Sequence, residues 1–223
     1  MINLHVHLAG NGKPSAKPRD NRCAGAQNSE QWPDPCGGYR LVCSYAKLEL
    51  LGGVTTIRTV GGIADFDTRC RDDAAAGKLL APRILAANEG ISVPGGHMAG
   101  SVAVAAHNNA EALAQLKKAS GQKVDLVKLM ITGGVLDAAE KGTPGELKMK
   151  PEMVKAVCDE AHKLGYTVAA HTECAGGRER WRWKTAWTPS SMAQRWMRRP
   201  SGSTRSGVLL SAPPSPRRCL CTV

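Results

Sequence analysis

The sequence predicts an α/β fold, an incomplete TIM-type (β/α)8 barrel of about five β/α units. Three observations lead to this prediction. Short apolar runs alternate with helical patterns, long polar loops follow the strands, and the chain has only 223 residues. A complete barrel typically needs about 250 residues.

Five apolar runs have the length and β-branched content of strands, and four stretches between them have helical composition or helical apolar spacing. The strands are predicted at 2–8, 54–59, 83–87, 126–132 and 167–171, and the helices at 39–51, 64–78, 109–120 and 151–164. Asn109 suits a helix N-cap, Pro151 a first helical turn, and Gly165 the end of the last helix. Such alternation predicts a parallel sheet with right-handed crossovers.

The loops that follow the strands favour a barrel over an open sheet. Residues 9–38, 90–107 and 133–150 are long, polar and rich in glycine, whereas the segments that precede the strands are short. Barrel active sites are built from loops at the carboxyl ends of the strands. An open doubly wound sheet binds ligands at the same ends, so the loops alone leave both architectures open.

The basic charge is concentrated at the end of the chain. The formal net charge is +11, but residues 175–223 hold ten Lys or Arg against one acid, Glu179, which gives +9. The preceding part has 20 basic and 18 acidic residues, which gives +2, and four of the five Trp also lie in 175–223. We therefore predict two regions: a partial barrel at 1–174, and a basic tail at 175–223 that is disordered and lacks a stable core.

Eight cysteines are scattered along the chain without CxxC spacing. The sequence has no signal-like segment and no apolar run near the roughly 20 residues that a membrane span needs. These features predict a cytoplasmic protein with free thiols and no membrane partner.

Three kinds of residue on the predicted strands could carry chemistry. His5 and His7 stand two apart on the first strand, so both imidazoles project from one face and can reach a single cation, although two polar strand-end histidines show the same pattern. Lys128 lies inside an apolar run, where an unpaired ammonium is costly to bury; it is neutralised or bound, or else it faces outward between helices. His171 ends the fifth strand, at the rim where barrel enzymes place catalytic side chains and where ordinary histidines also occur.

Four segments together resemble barrel strands one, two, four and five of the amidohydrolase superfamily. They are Ile2-Asn-Leu-His-Val-His-Leu8, Gly53-Val-Thr-Thr-Ile-Arg58, Asp125-Leu-Val-Lys-Leu-Met-Ile131 and Val168-Ala-Ala-His171. Residues 3–12 and Val93-Pro-Gly-Gly-His97 are similar to the imidazolonepropionase-like and Xaa-Pro or Xaa-Arg dipeptidase-like branch. The resemblance covers residues 1 to about 174 and implies hydrolysis of amide bonds in a dipeptide or another small molecule.

The resemblance also implies a site with two divalent metal ions, expected to be zinc. His5 and His7 would bind the first ion, Lys128 would be carbamylated and bridge both, and His171 would bind the second. His97 and Arg58 are candidate substrate contacts; a flexible surface histidine is the alternative at His97, and Thr59 stands where this branch often has an acid. Glu173 is a candidate support for His171.

Two elements of the superfamily's site are missing from the sequence: the histidine of strand six and the aspartate of strand eight, which is a metal ligand and the general base. No histidine follows His171, and the only acid after Glu173 is Glu179. The general base is thus absent from the chain.

A frameshift explains this tail. In a shifted reading frame, each new codon consists of the third base of one residue's codon and the first two bases of the next residue's codon. In that frame Trp183-Lys184 must encode Glu, and Trp196-Met197 must encode Asp. The codon bases that the amino acids do not determine permit an alternative amino-acid sequence across residues 179–199. This sequence contains Ile-Glu-His-Gly, which resembles the sixth-strand motif of the superfamily. We therefore expect a truncated, frameshifted fragment that is inactive as it stands.

Two other functions remain as alternatives. One is a non-catalytic fragment that binds a metal through His5 and His7. The other is a nucleic-acid binder that uses the Arg and Trp residues of the tail, which the frameshift interpretation disfavours because it explains that composition without a ligand.

Overall fold

The computed structural model describes residues 1–10, 37–134 and 145–172, together with the backbone of a strand at 219–222. Eight strands and four helices occur in these ranges. In chain order they are β1 Ile2–Val6, α1 Gly38–Leu51, β2 Thr56–Thr59, α2 Phe66–Ala75, β3 Arg83–Leu85, β4 Gly90–Ser92, β5 Ala103–Ala105, α3 Asn109–Gly121, β6 Leu126–Met130, α4 Pro151–Lys163, β7 Thr167–His171 and β8 Cys219–Thr222. The predicted β/α alternation is confirmed.

The strands pair in parallel throughout and form two sheets, ordered β1-β2-β3 and β5-β4-β6-β7-β8. The predicted third strand, 83–87, corresponds to β3 alone, whereas β4 lies in the segment 90–107 that was predicted as a loop; Asn88 between the two strands has a left-handed φ of 55°. Asp125 joins the two sheets, because its backbone N–H donates to the Ala86 carbonyl at 2.8 Å. The architecture is a partial barrel, as the sequence predicts.

Helices cover the outer face of each sheet. One apolar cluster packs α1 and α2 against β1–β3, with Val42, Ile57 and Phe66 at its centre. A second packs α3 and α4 against β4, β6 and β7, and Leu129 and Val157 within it are fully buried. Burial of such side chains, each contributing about 1.5–3 kcal/mol, is what fixes the strands that carry the site.

Local sequence signals set the helix ends, with one correction. Asn108, and not Asn109, caps α3: its side-chain oxygen accepts from the Glu111 N–H at 2.9 Å. Pro151 begins α4 as predicted, and Gly165 follows it with a φ of 84°, which only glycine adopts readily.

Three elements were not predicted: β4 and β5 in the loop that follows the third strand, and β8 in the tail. β8 pairs with β7, and its Thr222 is in register with His171. Residues 173–218 lie outside the described ranges, so the absence of a stable core around the tail tryptophans stays a prediction. Among the described helices, none has the length and apolarity needed to cross a lipid bilayer.

Candidate metal site

β1 delivers the first two candidate ligands. His5 lies on β1 and His7 directly follows it, and their ring centroids are 5.3 Å apart in an edge-on arrangement. His7 Nδ1 donates to the Gly61 carbonyl at 2.9 Å. Because a carbonyl can only accept, this bond fixes the tautomer of His7 and leaves its Nε2 lone pair available to a metal ion.

The surroundings keep both imidazoles neutral. Burial, reinforced by the charge of Lys128, lowers the pKa of His5 to about 4. Burial also lowers the pKa of His7, with the Gly61 hydrogen bond opposing it and Lys128 adding to it. Neutral imidazole is the form that binds a metal, so both side chains are ready to act as ligands at pH 7.

Lys128 is held inside the fold. All five residues of β6 are buried, and Lys128 is only 1% exposed, which rules out the outward-facing alternative. Gly90 on the neighbouring strand makes room for its stem, since a Cβ at that position would lie 3.4 Å from Lys128 Cγ. The Lys128 charge acts on both His5 and His7, so the three side chains share one region.

His171 and His97 form the opposite side of this region. His171 ends β7, and its ring stacks on that of His97 with centroids 3.9 Å apart and planes 13° apart. Gly134 permits the stack, because a Cβ there would lie 2.5 Å from His97 Nδ1 and 3.3 Å from His171 Nε2. His97, which the sequence left as a possible surface residue, therefore lies against a candidate ligand.

A scan of family models and a search of curated proteins found no match. Solved structures do match. A candidate prolidase from Bifidobacterium longum is 32% identical over 80% of this chain and 36% of its own, with a TM-score of 0.57. A Xaa-Pro dipeptidase with methionine bound in its active site is 26% identical over 80% of this chain and 44% of its own, with a TM-score of 0.63.

The chain is a relative of the amidohydrolase superfamily. A. niger ochratoxinase shares its fold as well, at 18% identity and a TM-score of 0.63, over 79% of this chain and 43% of its own. The chain thus spans less than half the length of these three structures, 36% to 44%.

The donor set of this amidohydrolase relative fits a metal centre in part. The charges of Lys128, His7 and His171 all help to lower the pKa of His5, together with burial, so these three groups lie within electrostatic reach of His5. Within the described ranges, however, no three His, Cys, Asp or Glu side chains are close enough together to hold one ion. Among the described residues, these histidines form two ring contacts, His5 with His7 and His97 with His171.

Arg58 is buried and bonded to the backbone of β1, and its role as a substrate contact stays a prediction. It is 7% exposed, and its Nε donates to the Leu4 carbonyl of β1 at 2.7 Å. Thr59 Oγ1 accepts from the Ala87 N–H at 3.1 Å, which ties the end of β2 to the end of β3. Glu173 lies outside the described residues.

Asp67 is a buried residue that sequence reasoning missed. This residue is in the first turn of α2 and fully buried, and its carboxylate lies so close to Gly62 that a Cβ there would be 2.5 Å from Oδ2. Burial raises its pKa to about 6. An acid in the first turn of a helix is common, so its position alone could not mark it as buried.

Proposed function

We propose that the chain is part of a binuclear metal-dependent hydrolase that cleaves carbon–nitrogen bonds in amides or peptides, with a dipeptide or similar small molecule as substrate. One observation carries the proposal: Lys128 is only 1% exposed, and its charge acts on His5 and His7, whose pKa values are lowered. A structural lysine has no need of such neighbours, whereas a metal-bridging lysine does.

Each residue has a defined role in this proposal. Two divalent ions, expected to be zinc, would supply Lewis acidity and activate water when bound. His5 and His7 would hold the first ion through neutral imidazoles, and His171 the second. Lys128 would carry a carbamate, formed when its neutral Nζ bonds to the carbon of CO₂ and releases one proton, so that a buried cation becomes an anionic ligand. The His97 ring would keep His171 oriented through the stack.

We further propose that the 223-residue chain is inactive and that its tail results from a frameshift. The superfamily's strand-six histidine and strand-eight aspartate have no equivalents after His171, as the composition of the tail shows. Without that aspartate there is no group to take up and deliver the proton, and loss of a positioned acid or base usually costs about 10²–10⁴ in rate.

A non-catalytic metal-binding fragment remains the second candidate, because His5 and His7 alone form a neutral pair on one strand. Metal binding without turnover by a frame-restored, completed protein would favour it. The two candidate functions therefore predict different results when the frame-restored, completed protein is assayed for turnover.

The test compares the 223-residue chain with the frame-restored protein, both expressed with zinc and bicarbonate and assayed on a dipeptide panel. Only the restored protein should turn over, and a chelator should abolish the activity. His171→Ala should remove activity in that background, whereas His107→Ala should not, because His107 is a surface residue that pairs with Glu111. Chelator-sensitive turnover by the 223-residue chain would contradict the claim of inactivity.

A further inference from the structure

The pairing register between β1 and β2 shifts next to the histidine pair, His5 and His7. Asn3 is in register with Ile57 and Val6 with Thr59, so β1 advances three residues while β2 advances two. The extra residue of β1 therefore falls at positions 4–5, where His5 is located. Bulges of this kind occur next to active sites, where they change the direction of a side chain.

Arg58 lies on β2 directly opposite this irregularity, between the two residues that are in register. Its Nε donates to the Leu4 carbonyl at 2.7 Å, and the side chain is 7% exposed. A hydrogen bond from a charged donor in a buried position is stronger than one between neutral groups. The carbonyl that it holds belongs to the residue before His5.

We propose that Arg58 is a positioning residue for the metal site, acting through the Leu4 carbonyl to fix the bulged backbone from which His5 projects. This inference rests on the proposed metal function. In this proposal the Arg58 side chain holds the backbone of β1, whereas the sequence suggested that it contacts the substrate.

Two matched substitutions separate the hydrogen bond from the charge. In Arg58→Gln, the side-chain amide nitrogen takes the place of Nε, so a donor is retained without the charge. The methionine of Arg58→Met is as long as this glutamine but lacks both the hydrogen-bond donor and the charge. The probe is Co²⁺ added to the 223-residue chain, with the affinity and the visible absorption spectrum of the bound ion as readouts.

R58M should bind Co²⁺ about 10- to 100-fold more weakly, as loss of groups that orient metal ligands typically does, with an altered spectrum. R58Q should keep most of the affinity and the spectrum of the unsubstituted chain. Equal losses in the two variants, or no loss in either, would overturn the inference. If circular dichroism shows that R58M is unfolded, R58K replaces it, since lysine keeps the charge but has carbon at the Nε position.

A metal-free measurement keeps this inference separate from the proposed function. If neither the unsubstituted chain nor the frame-restored protein binds Co²⁺, the metal function fails, and the ring ¹H–¹⁵N signals of the histidines then decide the role of Arg58. His5 signals that move in R58M and return in R58Q, with His107 unchanged in both, would support positioning. His5 signals that are the same in all three proteins would refute it.

Discussion

At the scale of single residues, Gly61 determines how the His7 ring is held. Gly61 has a φ of 129°, and its carbonyl accepts the His7 Nδ1 proton. A Cβ at Gly61 would lie 3.3 Å from His7 Cε1 and 3.2 Å from the Val102 carbonyl. The turn therefore requires glycine both for its conformation and for the room beside the ring.

Gly61→Ala should lower the free energy of unfolding by about 1–3 kcal/mol, because alanine is strained at this φ. It should also shift the His7 ring signals. Gly77→Ala is the control, since Gly77 also has a positive φ, of 72°, but has open space around it. Urea unfolding and histidine NMR measure both effects. If the His7 signals respond equally to the two substitutions, the contact with Gly61 does not position His7.

Asp67→Asn should stabilise the protein in a pH-dependent way. The pKa of Asp67 is raised to about 6, so the folded state binds this proton more tightly than the unfolded state. Its favourable effect is present at low pH and is lost as the pH rises through 6. The gain from Asp67→Asn should therefore be larger at pH 7 than at pH 4, and on the order of 1–3 kcal/mol.

Unfolding free energies of the substituted and unsubstituted proteins at several pH values give this difference directly. The comparison is needed because the lowered pKa of His5 has the opposite effect: its protonation in the unfolded state reduces stability as the pH falls from 6.5 toward 4. Asp65→Asn, on the same turn, is the control. A gain from Asp67→Asn that does not change with pH would show that Asp67 is not charged at neutral pH.

Sequence reasoning singled out the candidate ligands but not the residues that contact them, for a physical reason. His5 and His7 could be singled out by their spacing on one strand and His171 by its place at a strand end. Lys128 could be singled out because an ammonium inside an apolar strand is costly to bury without a partner. The contacts of Gly61, the burial of Asp67, and the stacking of His97 on His171 could not be predicted. They depend on residues that are far apart in the chain. The same holds for Arg58, whose partner Leu4 is 54 residues away.

At the scale of elements, the parallel strands were predictable from their apolar runs, but the connection between the two sheets was not. Asp125, just before β6, accepts from the Ala86 N–H and from Arg71 Nη1, both at 2.8 Å. It thus ties α2, the end of β3 and the start of β6. In the sequence, a charged residue such as Asp125 at the edge of an apolar run is typical of a strand end in contact with solvent. The sequence therefore does not reveal the junction between the two sheets.

Asp125→Ala should lower the free energy of unfolding by about 1–3 kcal/mol, because it removes a charged acceptor from two donors. Asp72→Ala is the matched control: Asp72 pairs with the same arginine, at 2.8 Å, but its side chain is 67% exposed. Exposed pairs contribute about 0–1 kcal/mol. Chemical denaturation measures both variants, and equal losses would mean that the Asp125 carboxylate does not strengthen the junction between the sheets.

At the scale of the whole molecule, the partial barrel brings strands that are distant in sequence around one buried lysine. The chain spans 36% to 44% of the three compared structures, and its net charge is concentrated in residues 175–223. Sequence reasoning predicted the barrel class because alternating β/α order permits few topologies. It did not predict β8, since no apolar periodicity marks the tail.

The most direct test of the central claim, that Lys128 unites the histidines into a binuclear site, is the metal content of the frame-restored protein. The protein is expressed with zinc and bicarbonate, dialysed, and measured by plasma mass spectrometry. Two zinc ions per chain are expected, with most of the metal lost in Lys128→Met, an apolar substitution that suits the buried position and should leave the circular dichroism spectrum unchanged. Two zinc ions retained by a folded Lys128→Met variant, or none bound by the unsubstituted protein, would contradict the claim.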